Sequence, residues 1–200
     1  MAELKKAVIL IADGTEEMEF AITYDTLVRA GIQCTSAYVS RDNTEESTDD
    51  EYQSGPYATC SRGVKIVPDT LFTPDLTPDK YDLLIIPGGA AGANTISQNS
   101  VVQHLVREYI NAKKYVGMIC AALESNLPRQ RLTSHPSVKH QLENHYDYSE
   151  DAVVVSDHFV TSRGPGTTFP FALTLVELLC GKEKRKDVAG PMVFPHGTFA

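Results

Sequence analysis

The stretch VGMICAALES (residues 116–125) sets a single cysteine between an apolar run of strand character and a run of helical character. A nucleophile on a sharp strand-to-helix turn is held in a strained backbone conformation. That conformation exposes the side chain and turns the following N–H toward a substrate oxygen. The start of a helix also favours thiolate over thiol. By position alone, however, a cysteine after an apolar strand is also often just a small buried hydrophobe. What surrounds Cys120 has to decide between the two.

Outward from that point, the chain alternates strands and helices. KAVILIA (6–12) is a short continuous apolar run that ends in DGTEE, a turn followed by carboxylates suited to the start of a helix. EEMEFAITYDTLVRAG (16–31) has apolar residues at helical spacing and stops at Gly31, and QCTSAYVS (33–40) follows as a second strand. YDLLIIPGG (81–89) is a buried strand broken by Pro87, Gly88 and Gly89. VVQHLVREYINAKK (101–114) predicts an amphipathic helix, and YVGMIC (115–120) a strand running straight into Cys120. VVVSDHFVTS (153–162) breaks the rhythm with two short strands flanking Ser156-Asp157, as in a hairpin. TTFPFALTLVELLCGK (167–182) predicts a helix that carries Pro170 in its first turn. Such alternation implies βαβ units: an α/β sandwich with a mostly parallel sheet and helices on both faces. In open sheets of this kind the site lies beyond the carboxyl ends of the strands. Here those ends precede Asp13–Glu19, Gly88-Gly89 and Cys120.

The chain has 200 residues and 42% apolar content, enough for one sizeable core, and reads as one domain over 1–200. The apolar run at its start is too short for a signal segment or a membrane span. Cys34, Cys60, Cys120 and Cys180 are widely spaced with no CxxC, which fits free thiols in a reducing compartment and no structural zinc. The net charge is -8, and RDNTEESTDDEY (41–52) places six acids against one arginine. Residues 41–56 therefore read as an acidic surface loop. Without a stripe of Lys and Arg the surface is unsuited to nucleic acid, and no membrane partner is expected.

Two further features bear on Cys120. Glycines at 88 and 89 let the backbone approach a ligand and offer an N–H as oxyanion donor, although a tight turn alone would explain them. Glu19 stands between Met18 and Phe20 on helix one, an odd place for a carboxylate if that face is buried, whereas Glu16 and Glu17 read as surface charges complementing the helix dipole. A carboxyl near a thiol in an apolar pocket would have its pKa raised by desolvation and could carry a proton to and from a bound carbonyl compound. His135, in LTSHPSV, is either a third member or a loop histidine before a proline-started helix.

The blocks ADGTEEMEF, IIPGGAAGA, GMICAA, TSHPSVKHQLE and TSRGPGTTFPFAL resemble, in this order, those of the ThiJ/PfpI superfamily in its Parkinsonism-associated deglycase (DJ-one) branch, with fungal-type homologues. The resemblance implies a flavodoxin-like fold, a homodimer in the cytoplasm and nucleus, and no metal or organic cofactor. It implies a glutathione-independent glyoxalase of the glyoxalase III (D-lactate dehydratase) type that turns methylglyoxal into lactate, with deglycase action on glyoxal adducts of proteins and nucleotides. A redox-sensing chaperone or oxidative-stress protein that signals through oxidation of Cys120 is the alternative it carries. Matched by position, the catalytic residues are Cys120, Glu19 and His135. Gly88, Gly89 and Ala121 surround the oxyanion, and Arg163 and Pro165 border the substrate. The same match places Met18 in a dimer contact and Arg29 and Arg62 at the pocket rim. This chain departs from the pattern in two places: Ala122 stands where the family's elbow has glycine, and the segment from Cys120 to His135 is several residues shorter. No late HxE motif is present, unlike in class I amidotransferases.

Overall fold

A computed structural model describes residues 4–41, 57–120 and 128–198. The acidic loop from residue 42 to 56 and the segment 121–127 that follows Cys120 lie outside the described residues.

The expected strands appear as β1 (Lys6–Ile11), β2 (Gln33–Tyr38), β6 (Leu83–Ile86), β7 (Tyr115–Ile119), β10 (Val153–Ser156) and β11 (Phe159–Ser162). Short strands are added at β3 (Ala58–Thr59), β4 (Lys65–Ile66), β5 (Thr70–Leu71), β8 (Arg131–Leu132) and β9 (Asp147–Tyr148). The main sheet runs β10-β11-β7-β6-β1-β2-β5 and is parallel except for the β10–β11 hairpin. The turn of that hairpin falls on Asp157 and His158, one residue later than expected, because Ser156 pairs with Phe159 and Asp157 takes a left-handed φ of 53°.

The helices are α1 (Glu17–Arg29), α2 (Ala90–Gln98), α3 (Ser100–Asn111), α4 (Lys139–Leu142), α5 (Thr168–Cys180) and α6 (Lys182–Ala189). They cover both faces, and the strand alternation divides the core accordingly. Val8, Leu10, Leu84, Ile86, Val116 and Met118 pack with Ile96, Val102, Leu105, Val106 and Tyr109 of α2 and α3. Ala7, Ile9, Ile11, Leu83 and Ile85 pack with Phe20 and Leu27 of α1 and with Phe171, Leu175 and Val176 of α5. This is the flavodoxin-like sandwich: side chains of period two on strands meet apolar stripes of period 3.6 on helices.

Helix α2 is absent from the periodicity reading because AAGANTISQ buries only Gly92 and Ile96. Tertiary contact holds it instead. A Cβ on Gly92 would stand 2.5 Å from the Thr15 nitrogen, so the missing side chain lets α2 lie flush on the turn after β1. Asn99 then closes α2 and opens α3, its side chain accepting from the Val101 and Val102 N–H groups.

Chain order departs from β1 in both directions, to β2 on one side and to β6 on the other. That switch point opens a crevice at the carboxyl ends of β1 and β6. On the α5 face Phe171 is fully buried, and its Cζ lies 2.9 Å from where a Cβ on Gly117 would stand. Phe171→Ala should therefore cost about 3–5 kcal/mol of folding free energy, read as a lowered urea midpoint with an unchanged slope.

Candidate active site

Three strand ends supply the site. After β1, the turn Asp13-Gly14-Thr15 is closed by Thr15 Oγ1, which accepts the Ala12 N–H at 3.0 Å, and it delivers the chain to α1. After β6, Gly88 and Gly89 lead into α2, with Gly89 at φ 93°, a conformation that costs a glycine nothing. After β7 comes Cys120, at φ 64°, one of four non-glycine residues of positive φ among the described residues. Its N–H donates to the Ser162 carbonyl at 3.1 Å, so the neighbouring strand β11 holds the strained residue in place.

Gly88 is the meeting point. A Cβ there would stand 2.4 Å from Cys120 Cβ, 2.7 Å from Glu19 Oε2 and 2.9 Å from the Ile119 carbonyl, so no larger residue fits. Its N–H donates to Glu19 Oε2 at 2.7 Å, and its carbonyl accepts the Glu16 N–H at 2.9 Å. Glu19 is fully buried in the first turn of α1, and its Oε1 has no hydrogen-bond partner among the described residues. Burial pushes its carboxyl up to about 7, against the lowering effect of the Gly88 N–H and with added repulsion from Glu16. Cys120 is half-buried. Its thiol is pushed up to about 11 by burial and by the charge of Glu19, while the Gly89 N–H works in the opposite direction by favouring the thiolate. The expectation of an exposed, low-pKa cysteine is thus corrected: desolvation and two carboxylates outweigh the one described donor.

Glu16 and Glu17 are also corrected from surface charges to buried ones, each 8% exposed. The Ser61 hydroxyl reaches both, at 2.7 Å and 2.9 Å, and the Arg62 N–H donates to Glu17 at 2.8 Å. Together they draw the β3–β4 hairpin over the start of α1. Nothing in the sequence around Cys60-Ser61-Arg62 signalled this cover, because the contact spans more than forty positions. Ser162 was likewise missed, since its part is played by a backbone carbonyl.

The remaining expected residues are placed as follows. His135 is exposed and caps the short 3-10 turn Pro136–Val138, its Nδ1 pairing with Ser137 Oγ at 2.8 Å. Its ring edge lies against Gly164, and no hydrogen bond joins it to Cys120 or Glu19 among the described residues. Arg163 donates from Nη1 to the Glu150 carbonyl at 2.9 Å, and its buried Nε has no partner among the described residues. Pro165 opens the 3-10 turn that leads into α5. Ala121 and Ala122 lie outside the described residues, as does the shortened helix expected after Cys120. Arg29 pairs with Asp25 on its own helix, and Arg62 is exposed. No cluster of three or more His, Cys, Asp or Glu side chains that could hold a metal occurs among the described residues, and no helix there is long and apolar enough to cross a membrane. A cleft of about 420 Å³ opens at the opposite end of the sheet, lined by Lys6, Gln33, Asp82 and Lys114 among others, away from this chemistry.

The strand order, with its crevice at the switch point between β1 and β6 and helices on both faces, places the chain among flavodoxin-like α/β proteins. More particularly, it belongs to the DJ-1/PfpI family, whose model matches residues 5–178. The glutathione-independent glyoxalase DJ-1 of Schizosaccharomyces pombe is 37% identical over 196 residues, covering 95% of this chain and 99% of that protein. The glutathione-independent glyoxalase DJR-1.2 of Caenorhabditis elegans is 35% identical over 198 residues, covering 96% and 98%. The crystal structure of Drosophila melanogaster DJ-1beta matches with a TM-score of 0.84 at 38% identity, covering 97% of this chain and all of that one.

The raised pKa of Glu19 has a consequence for stability. Below the ordinary value of 4.5 the carboxyl is protonated whether the chain is folded or not. Between 4.5 and about 7 the unfolded chain releases this proton while the folded one keeps it, so stability falls as pH rises, and above 7 the full cost is present. Glu19→Gln keeps an acceptor for Gly88 and removes that cost. It should be more stable than the wild type at pH 8 by an amount on the order of 3 kcal/mol, with the gap closing toward pH 4.5, read by urea denaturation across pH.

Proposed function

We propose that the protein is a glutathione-independent glyoxalase of the DJ-1/PfpI family that converts methylglyoxal to lactate. The observation that carries the reading is the Gly88 junction, which holds the Cys120 side chain and a proton-bearing Glu19 against the same backbone atoms. Two relatives that span nearly the whole chain bear the name of this activity.

In the proposed sequence, Glu19 in its carboxylate form takes the proton of Cys120 as the sulfur attacks the aldehyde carbon, giving a hemithioacetal. The oxygen that takes up the electron pair faces the Gly89 N–H, with the Ala121 N–H as second donor, and receives a proton from Glu19. Glu19, again a carboxylate, removes the proton from the former aldehyde carbon to give an enediolate; the hydroxyl proton passes from the first oxygen to the second, and Glu19 returns the abstracted proton to the neighbouring carbon. That transfer oxidises the first carbon to a thioester and reduces the second to an alcohol, so no outside oxidant is required. Water then cleaves the thioester to lactate and restores the thiol. A carboxyl balanced near pH 7 suits both halves of this work, because either form is present at neutrality. His135 would assist through Nε2, its Nδ1 being engaged by Ser137. Arg163, with its spare Nε, and Pro165 would border the substrate. Deglycase action on adducts of the same aldehydes belongs to the same proposal and would use the same thiol. A homodimer through α1 belongs to it as well: Met18 and Val28, 51% and 48% exposed, give that helix an apolar outer surface.

The test is lactate formation from methylglyoxal without glutathione. Cys120→Ala should abolish turnover, and Glu19→Ala should lower kcat by about 10²–10⁴, the usual worth of a positioned acid–base group. His135→Ala should lower it far less. Undiminished turnover in Cys120→Ala would refute the scheme.

A further inference from the structure

Three carboxylates occupy residues 16, 17 and 19, and only Glu19 enters the chemistry above. Glu17 is accounted for by the hairpin: the Arg62 N–H donates to both of its oxygens, at 2.8 Å and 3.1 Å, and Ser61 adds a third bond at 2.9 Å. Burial raises its carboxyl, but these bonds together bring it below the ordinary value.

Glu16 is held differently. Its side chain is buried, and among the described residues its Oε2 is met only by the Ser61 hydroxyl at 2.7 Å. That hydroxyl has one proton for two carboxylates, so Glu16 is left poorly compensated. Its backbone N–H grips the carbonyl of Gly88, the same residue whose N–H binds Glu19. Residues 16 and 19 thus approach one glycine from its two sides, and Cys120 presses on that glycine from a third.

We propose that Glu16 is a positioning residue, a carboxylate pinned by Ser61 beside the Gly88 turn whose fixed charge keeps the proton on the Glu19–Cys120 pair. The inference rests on the reading of that pair as the reacting groups. The negative charge of Glu16 disfavours ionising either group, so the pair keeps a proton for the substrate oxygen instead of losing it to solvent. The direction agrees with the upward push that Glu16 exerts on both Glu19 and Cys120. Among the described residues, the other titratable or charged groups on the elements around this corner are Glu17 on α1, Asp13 on the turn after β1, Cys60 and Arg62 on the hairpin, Arg163 after β11, and His135 against Gly164. Asp13 is engaged by the Thr59 N–H and the Tyr38 hydroxyl, and Arg163 by the Glu150 carbonyl. Helix α2 contributes no titratable group.

The experiment follows iodoacetamide alkylation of Cys120 against pH by peptide mass, and the pH dependence of kcat for methylglyoxal, in full-length wild type, Glu16→Gln and Ser61→Ala. Glu16→Gln keeps an acceptor for Ser61 and removes the charge. The alkylation midpoint and the Glu19 limb of the kcat profile should both move to lower pH, by roughly half a unit, because burial outweighs Glu16 at both groups. Ser61→Ala keeps the charge but frees it toward solvent, and should move both midpoints the same way by a smaller amount. A loss of structure alone would lower the melting temperature and kcat without moving either midpoint. Unshifted midpoints in Glu16→Gln would overturn the proposal. If that variant does not fold, unshifted midpoints in Ser61→Ala would do so. Absence of methylglyoxal turnover in the wild type would overturn the glyoxalase reading instead, and the alkylation profile would still decide the role of Glu16.

Discussion

The hydrogen bond from the Gly88 N–H to Glu19 Oε2 is the constraint on which the site depends. It requires the chain to leave β6 without a side chain, since a Cβ at residue 88 would overlap Cys120, Glu19 and the Ile119 carbonyl at once. It also requires α1 to begin where it does, because Glu19 reaches the glycine only from the first turn. One donor does not repay the desolvation of a carboxylate that is fully buried, and among the described residues the second oxygen has no partner. The group answers by keeping its proton up to about pH 7. A structural cost is thereby converted into a chemical property.

The sheet makes that arrangement possible by topology. Chain order leaves β1 in both directions, so the loops after β1 and β6 face each other across the switch point, and β7 brings Cys120 alongside. Backbone bonds then stitch the corner: Glu16 to Gly88, Cys120 to Ser162, Gly14 to Thr59. Each joins a loop to a different element, and none involves a side chain that substitution could remove. The strained φ of Cys120 persists because β7 and β11 hold Ile119 in register opposite Ser162 and the Ser162 carbonyl takes the Cys120 N–H.

Charge is concentrated where the apolar core would otherwise close over the site. Of three carboxylates within four residues, Glu16 and Glu17 meet a cover of Ser61 and Arg62, which supplies hydroxyl and backbone N–H donors in place of a cationic partner, while Glu19 takes its donor from Gly88. Those bonds compensate Glu17 fully and Glu16 partly. The remaining field of Glu16 falls on Glu19 and Cys120; at the thiol, burial and the charge of Glu19 outweigh what the Gly89 N–H returns, and Glu16 adds a smaller push. Electrostatics in this corner therefore opposes ionisation, and any proton that leaves the thiol must be taken by a group close at hand.

Much of the fold could be read along the chain, because apolar runs such as KAVILIA and LLII and the helical spacing of 16–31 are local properties of residue type. The same holds for the strand ends at residues 12, 88 and 120, and with them the place of Cys120 and Glu19. Helix α2 could not be read this way, since it is held by the fit of Gly92 on Thr15 and not by a stripe of its own. Nor could the burial of Glu16 and Glu17, which rests on a hairpin more than forty residues away. The placing of His135 against Ser137 and Gly164, with no bond to the thiol, likewise belongs to tertiary structure. The sequence by itself determined which residues could react, because nucleophiles, carboxylates and glycines are set by residue type and local spacing. Their protonation and their donors were decided only by the tertiary structure, because pKa values follow from burial and neighbouring charge, and both are made by contacts between segments far apart in the chain.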